Sequence, residues 1–62
     1  MTKVNINKAW VKELVSLKYV GVKTAQWIIA GRPYKDVHEL SDVRGIGKVK
    51  MQYFIDNDLI EV

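Results

Sequence analysis

The chain has no cysteine, a single proline, a single histidine and four glycines in 62 residues. Without cysteine there is no disulfide and no thiolate metal site. One histidine with scattered carboxylates builds no credible metal centre, so no metal and no other cofactor is expected. No apolar run approaches the roughly 18 residues that a membrane helix needs. Residues 1–20 lack the basic-then-apolar order of a signal peptide. A native start at Met1 implies a cytoplasmic protein, and a chain cut from a longer one leaves location open. Acidic residues are few as well: seven Asp and Glu stand against ten Lys and Arg, a net charge of +3. That balance permits an anionic partner without demanding one. Low-complexity stretches and linkers are absent, so residues 1–62 read as one domain. A domain of this size buries only about 60% of its unfolded surface, which makes economical packing a requirement.

What is present is helical periodicity. From Lys8 to Leu17, Trp10, Leu14 and Leu17 recur at i, i+4 and i+7, with Val11 and Val15 widening the stripe. Asn7 is placed to cap this helix, and Trp10 is expected in the core. A second helix is expected from Val22 or Lys23 to Ala30, its stripe Val22, Ala25, Ile28 and Ile29, with Gly31 as a left-handed stop before Arg32-Pro33. Asp36-Val37-His38-Glu39 is a capping box that starts a short helix to about Asp42, and His38 is expected at the surface. The last helix runs from Lys48 to about Asn57 with Met51, Phe54 and Ile55 on one face, and the apolar tail Leu59-Ile60-Glu61-Val62 packs back. No segment sustains a period-two alternation. The fold class is all-α, a small bundle of four to five short helices.

Slid on itself by 26 residues, the chain matches. Val11, Glu13, Leu14, Gly21 and Gln26 fall on Val37, Glu39, Leu40, Gly47 and Gln52. Lys18 meets Arg44, Val20 meets Ile46, and Trp27-Ile28-Ile29 meets Tyr53-Phe54-Ile55. Each copy is a helix, a tight Gly turn and a helix, the first over about 8–30 and the second over about 36–57. Neither buries its stripe alone, so a pseudo-twofold pair sharing one core is the simplest arrangement.

The turns carry the chemistry. In Val43-Arg44-Gly45-Ile46-Gly47-Lys48-Val49-Lys50 the glycines allow positive φ and close backbone approach, and Ile46 anchors the turn. The following helix begins with free amides and a positive dipole end, an arrangement that suits a phosphate. Arg44, Lys48 and Lys50 add charge at the same point. The first turn, Lys18-Tyr19-Val20-Gly21-Val22-Lys23-Thr24-Ala25, has the same form except that Tyr19 stands where the first glycine is expected. A bulky residue there disfavours positive φ. Tyr19 either covers the core edge or lies against a sugar or base, and Thr24 is a second auxiliary position. Five of the ten cations, Lys18, Lys23, Arg44, Lys48 and Lys50, collect at these two turns.

The pattern apolar-x-Gly-apolar-Gly-x-x-x over residues 43–50 resembles the helix-hairpin-helix family. With Val4-Asn5-Ile6-Asn7 before the first copy and Pro33-Tyr34 before the second, nearly the whole chain resembles the tandem helix-hairpin-helix domain of the ComEA competence DNA receptors, a SAM-like fold. The photosystem II extrinsic subunit U is a more distant likeness. The sequence departs from the pattern at Tyr19, at Met51 in place of a small residue and at Trp10 in place of a small cap. It carries no segment like the receptors' membrane anchor.

The resemblance implies a monomer that grips double-stranded DNA across the minor groove by its backbone, without reading sequence. The amides of Gly45, Gly47 and Lys48 would hold one phosphate and those of Gly21, Val22 and Lys23 a second, with Arg44, Lys50 and Lys18 adding attraction. A monovalent cation at a hairpin is implied by resemblance alone. Relatives that cut or excise bases need a longer chain to enclose a flipped base, so no catalytic residue is expected. The alternative is a protein-interaction module with a degenerate DNA site, meeting its partner through Trp27 and Tyr53.

Overall fold

Both copies of the repeat fold as a helix, a tight turn and a second helix, because each stripe closes on the other. The computed structural model describes residues 3–62. Strand β1 (Val4–Asn5) leads to helix α1 (Val11–Leu14), helix α2 (Val22–Ala30), a 3₁₀ helix (Val37–Asp42), helix α3 (Gly47–Asp56) and strand β2 (Ile60–Glu61). About half of the chain is helical, in keeping with the all-α class. The two ends add a feature the periodicity does not announce. β1 and β2 pair in parallel, Val4 opposite Ile60 and Asn5 opposite Glu61. The Val4 and Ile6 amides donate to the Leu59 and Glu61 carbonyls, both at 2.9 Å. The tail packs back as expected, but as a strand too short to show an alternation.

The first helix is shorter than its stripe suggests. Around α1 the amides of Ser16 and Leu17 reach back three residues, to Glu13 and Leu14, at 3.2 and 3.1 Å. The N-cap is Trp10, in extended geometry, and the Glu13 carboxylate accepts from its amide at 3.3 Å. Asn7 therefore caps nothing. Its Oδ1 accepts from the Tyr34 amide at 2.6 Å and its Nδ2 donates to the Tyr34 carbonyl at 2.8 Å. Trp10 is not core either: it is 77% exposed. Its place before the first helical turn takes it off the 3.6-residue period that would have turned it inward.

α2 buries Ala25 and Ile28 as expected, whereas Val22 at its first turn is exposed. Gly31 ends α2 without the left-handed conformation, at φ −88°. It is a glycine for another reason. A Cβ there would lie 2.5 Å from the Tyr34 hydroxyl, which donates to the Ile28 carbonyl at 2.8 Å. The capping box forms: Asp36 accepts from the His38 amide at 2.7 Å, and Glu39 accepts from the Asp36 amide at 2.9 Å. His38 lies at the surface. α3 starts one residue earlier than expected, at Gly47, and stops at Asn57, with Asp58 taking the left-handed position at φ 57°.

Matched positions of the two copies are buried together: Leu14 with Leu40, Leu17 with Val43, Val20 with Ile46, Ala25 with Met51, and Ile28 with Phe54. Met51 thus fills the place that a small residue fills in the first copy. Hydrogen bonds recur as well. Val20 donates to Leu17 and Ile46 to Val43, both at 3.1 Å; Gly31 donates to Trp27 and Asn57 to Tyr53, at 3.2 and 3.1 Å. Arg32 ties the N-terminal segment down, its Nε donating to the Ile6 carbonyl at 2.6 Å and its Nη2 to that of Ala9.

Candidate nucleic-acid interface

The second turn has the backbone its glycines suggest. Gly45 and Gly47 both take positive φ, 92° and 68°. The group that Gly45 approaches closely belongs to the protein itself. A Cβ there would lie 3.0 Å from the Thr24 hydroxyl and 3.6 Å from the Trp27 ring. Thr24, half-buried, is therefore the seat of the second turn on α2. Nothing lies within 4 Å of the corresponding point at Gly47, so its face of the turn is open.

The first turn reaches nearly the same form by another route. Tyr19 adopts φ 74°, contrary to the expectation from its bulk. Its ring is held edge-on to Tyr53 of α3, with centroids 5.7 Å apart, and the Lys18 ammonium stands 5.3 Å from its centroid. These contacts offset the left-handed strain. The turns differ at the second glycine. Gly21 is extended, φ −93° and ψ −179°, with nothing within 4 Å of its Cβ position. Neither backbone conformation nor internal packing calls for glycine there.

Amides and charges stand ready at the same places. Among the described residues, the amides of Gly21, Val22 and Lys23 at the start of α2 have no intramolecular acceptor, and neither do those of Gly45 in the second turn and of Gly47 and Lys48 at the start of α3. All but that of Gly45 are the orphans that every helix start leaves. The ion pairs among the described residues are Lys3 with Asp58 and His38 with Asp36, so none of the five turn cations is matched by a carboxylate. Lys18, Lys23, Arg44 and Lys48 are exposed and Lys50 is half-buried. The Arg44 guanidinium lies 5.3 Å from the Trp27 ring, and Lys50 Nζ donates to the Gly45 carbonyl at 3.0 Å.

Trp27 and Tyr53 are half-buried against the core, not free aromatic surface. Val49, in the first turn of α3, is 85% exposed, where an apolar residue at a helix start is expected to face the core. Its signal is an apolar side chain between Lys48 and Lys50, where a solvated helix start favours a polar one.

The family model described as the helix-hairpin-helix motif matches residues 1–54, and the chain belongs to that family. A deoxyribonuclease of Thioalkalivibrio sp. (strain K90mix) is 37% identical over 49 residues, which make up 79% of this chain and 14% of that protein. The chain spans only that small share of the curated relative it matches.

Proposed function

We propose that this chain is a module that binds double-stranded DNA without sequence preference and performs no chemistry of its own. The observation that carries the reading is a coincidence of place: unpartnered amides open both α2 and α3, and cations without carboxylate partners belong to the same two turns. Membership in the helix-hairpin-helix family and likeness to a deoxyribonuclease support a nucleic-acid partner. In this reading Gly45, Gly47 and Lys48 donate to one phosphate and Gly21, Val22 and Lys23 to another, and Arg44, Lys50 and Lys18 add screened attraction. Contact along the minor groove and a monomeric state belong to the same proposal. So does a pseudo-twofold, ComEA-like pairing of the copies, supported by the exchange in which Tyr19 packs on Tyr53 and Gly45 on Trp27.

The rival, a protein-binding module, needs exposed aromatic surface at Trp27 and Tyr53, and both are half-buried. Titration of labelled duplex, followed by proton–nitrogen spectra, tests the proposal. The amides of Gly21, Gly45 and Gly47 shift, and log K falls with log salt at a slope of about −2 to −4, for two to four phosphates. The domain's 24 Å extent limits its footprint, to about seven base pairs at about 3.4 Å each. Fixed amides at excess DNA, or unchanged binding by a folded Gly47→Ala, Lys48→Ala protein, would sink it.

A further inference from the structure

Between the first turn and the start of α3 lies a groove lined by Tyr19, Val49, Lys50 and Tyr53. Its volume is about 320 Å³, within the roughly 300–1,000 Å³ span of small-molecule sites. Two of its walls are surface that a folded domain ordinarily hides. Val49 is 85% exposed and Tyr19 is 56% exposed. The lining contains no acid. Lys50 lines it, with its ammonium held at the Gly45 carbonyl, and the Lys18 ammonium, outside the lining, stands 5.3 Å from the centroid of the Tyr19 ring.

We infer that this groove takes an unpaired nucleotide, so that the module favours DNA with a single-stranded overhang over a blunt duplex. The inference rests on the DNA-binding reading and names a partner feature that reading does not. The lining, three apolar or aromatic side chains and one lysine, calls for an occupant with an apolar body beside a negative group, and a nucleotide has both. A duplex offers only base edges, because stacking covers its base faces. An unpaired base exposes an aromatic face that can lie on tyrosine and valine. The placement suits a strand already held at α3, since Val49 follows directly on Gly47 and Lys48, whose amides are open.

The test measures fluorescence anisotropy with a blunt duplex and with the same duplex extended by an oligothymidine overhang, for the wild type, Tyr19→Ala and Val49→Asn. The wild type is expected to bind the overhang DNA about five- to tenfold more tightly, the contribution of one stacked base. In each variant the ratio falls to about twofold or less. The second variant lies on an exposed position and keeps the test meaningful if loss of Tyr19 weakens the fold. Equal wild-type affinities with shifted turn amides overturn the inference and leave the DNA reading standing. No binding to either DNA, with the turn amides fixed, removes both. Concentration-dependent shifts of Tyr19 and Val49 in the free protein assign the groove to a second copy and overturn the inference as well.

Discussion

Tyr19 holds a left-handed backbone, φ 74°, while its ring stands edge-on to Tyr53 with centroids 5.7 Å apart and planes at 74°. The two facts oppose each other energetically. A left-handed L-residue costs about 1–2 kcal/mol, and an edge-to-face aromatic pair returns about 0.5–1.5 kcal/mol. Tyr19→Ala keeps the strain and loses the pair, so it is expected to destabilise by about 1 kcal/mol. Tyr19→Gly loses both and should fall within about 0.5 kcal/mol of the wild type. Urea denaturation of the three proteins checks the order; an alanine variant as stable as the glycine one would show that the backbone strain has no weight.

The two second glycines invite opposite outcomes. Gly47 needs its positive φ of 68°, so Gly47→Ala is expected to cost about 1 kcal/mol. Gly21 is the extended N-cap of α2 with open space at its Cβ. A serine there supplies an N-cap oxygen, at a few tenths of a kcal/mol over glycine, and lowers the entropy of the unfolded chain, so the fold should gain about 0.5 kcal/mol. The same oxygen competes for the Lys23 amide, one of those proposed for phosphate, so Gly21→Ser is expected to weaken duplex binding while raising the melting temperature. A variant that gains stability and keeps full affinity would place the phosphate elsewhere.

The repeat made most of the core legible. Leu14 and Leu40, or Ile28 and Phe54, are recognisable as partners because burial repeats at the offset at which the residues repeat. The misread positions have local causes. Trp10 falls outside its helix because the chain winds into α1 only after it, held by Glu13. Asn7 has the residue type of a cap, but its side chain bonds to Tyr34, 27 residues away. Gly31 was read for backbone freedom when the Tyr34 hydroxyl required its lack of a side chain. At the candidate site, charge placement and the glycines of the second turn were legible. The conformation of Tyr19 was not, since it depends on Tyr53, and the exposure of Val49 was not, since it depends on where α3 begins.

Arg32 bridges the carbonyls of Ile6 and Ala9 from the end of α2, and so fixes the segment that leads from β1 into α1. Hydrogen bonds from a charged donor contribute about 1.5–3 kcal/mol each when partly buried. Arg32→Ala is expected to destabilise by about 3 kcal/mol. Arg32→Lys recovers only part of that, because one ammonium does not reproduce the two-pronged guanidinium geometry. Hydrogen exchange localises the effect: the Ile6 amide, which donates to the Glu61 carbonyl at 2.9 Å, loses protection before the amides of α3. Uniform loss across the domain would mean that the N-terminal segment is not a separate locking element.

Tyr34 is expected to contribute to a loss of stability at alkaline pH. Burial raises its hydroxyl above the ordinary tyrosine range, and the nearby Arg32 charge offsets this only in part. A raised folded-state value means that the unfolded chain ionises first. Stability is then full below about pH 10, the unfolded value, and declines as pH rises from there through the folded value. Lys3, raised chiefly by its hydrogen bond to Asp58, contributes a loss over the same alkaline range. Tyr34→Phe separates the two. It forfeits the bond to the Ile28 carbonyl, at about 1 kcal/mol near neutrality, and it flattens the decline above pH 10 to the portion that Lys3 supplies. Chemical denaturation from pH 7 to 11 reads both effects in one series. A phenylalanine variant with the wild-type slope above pH 10 would show that Tyr34 ionises in the folded state as it does in the unfolded chain.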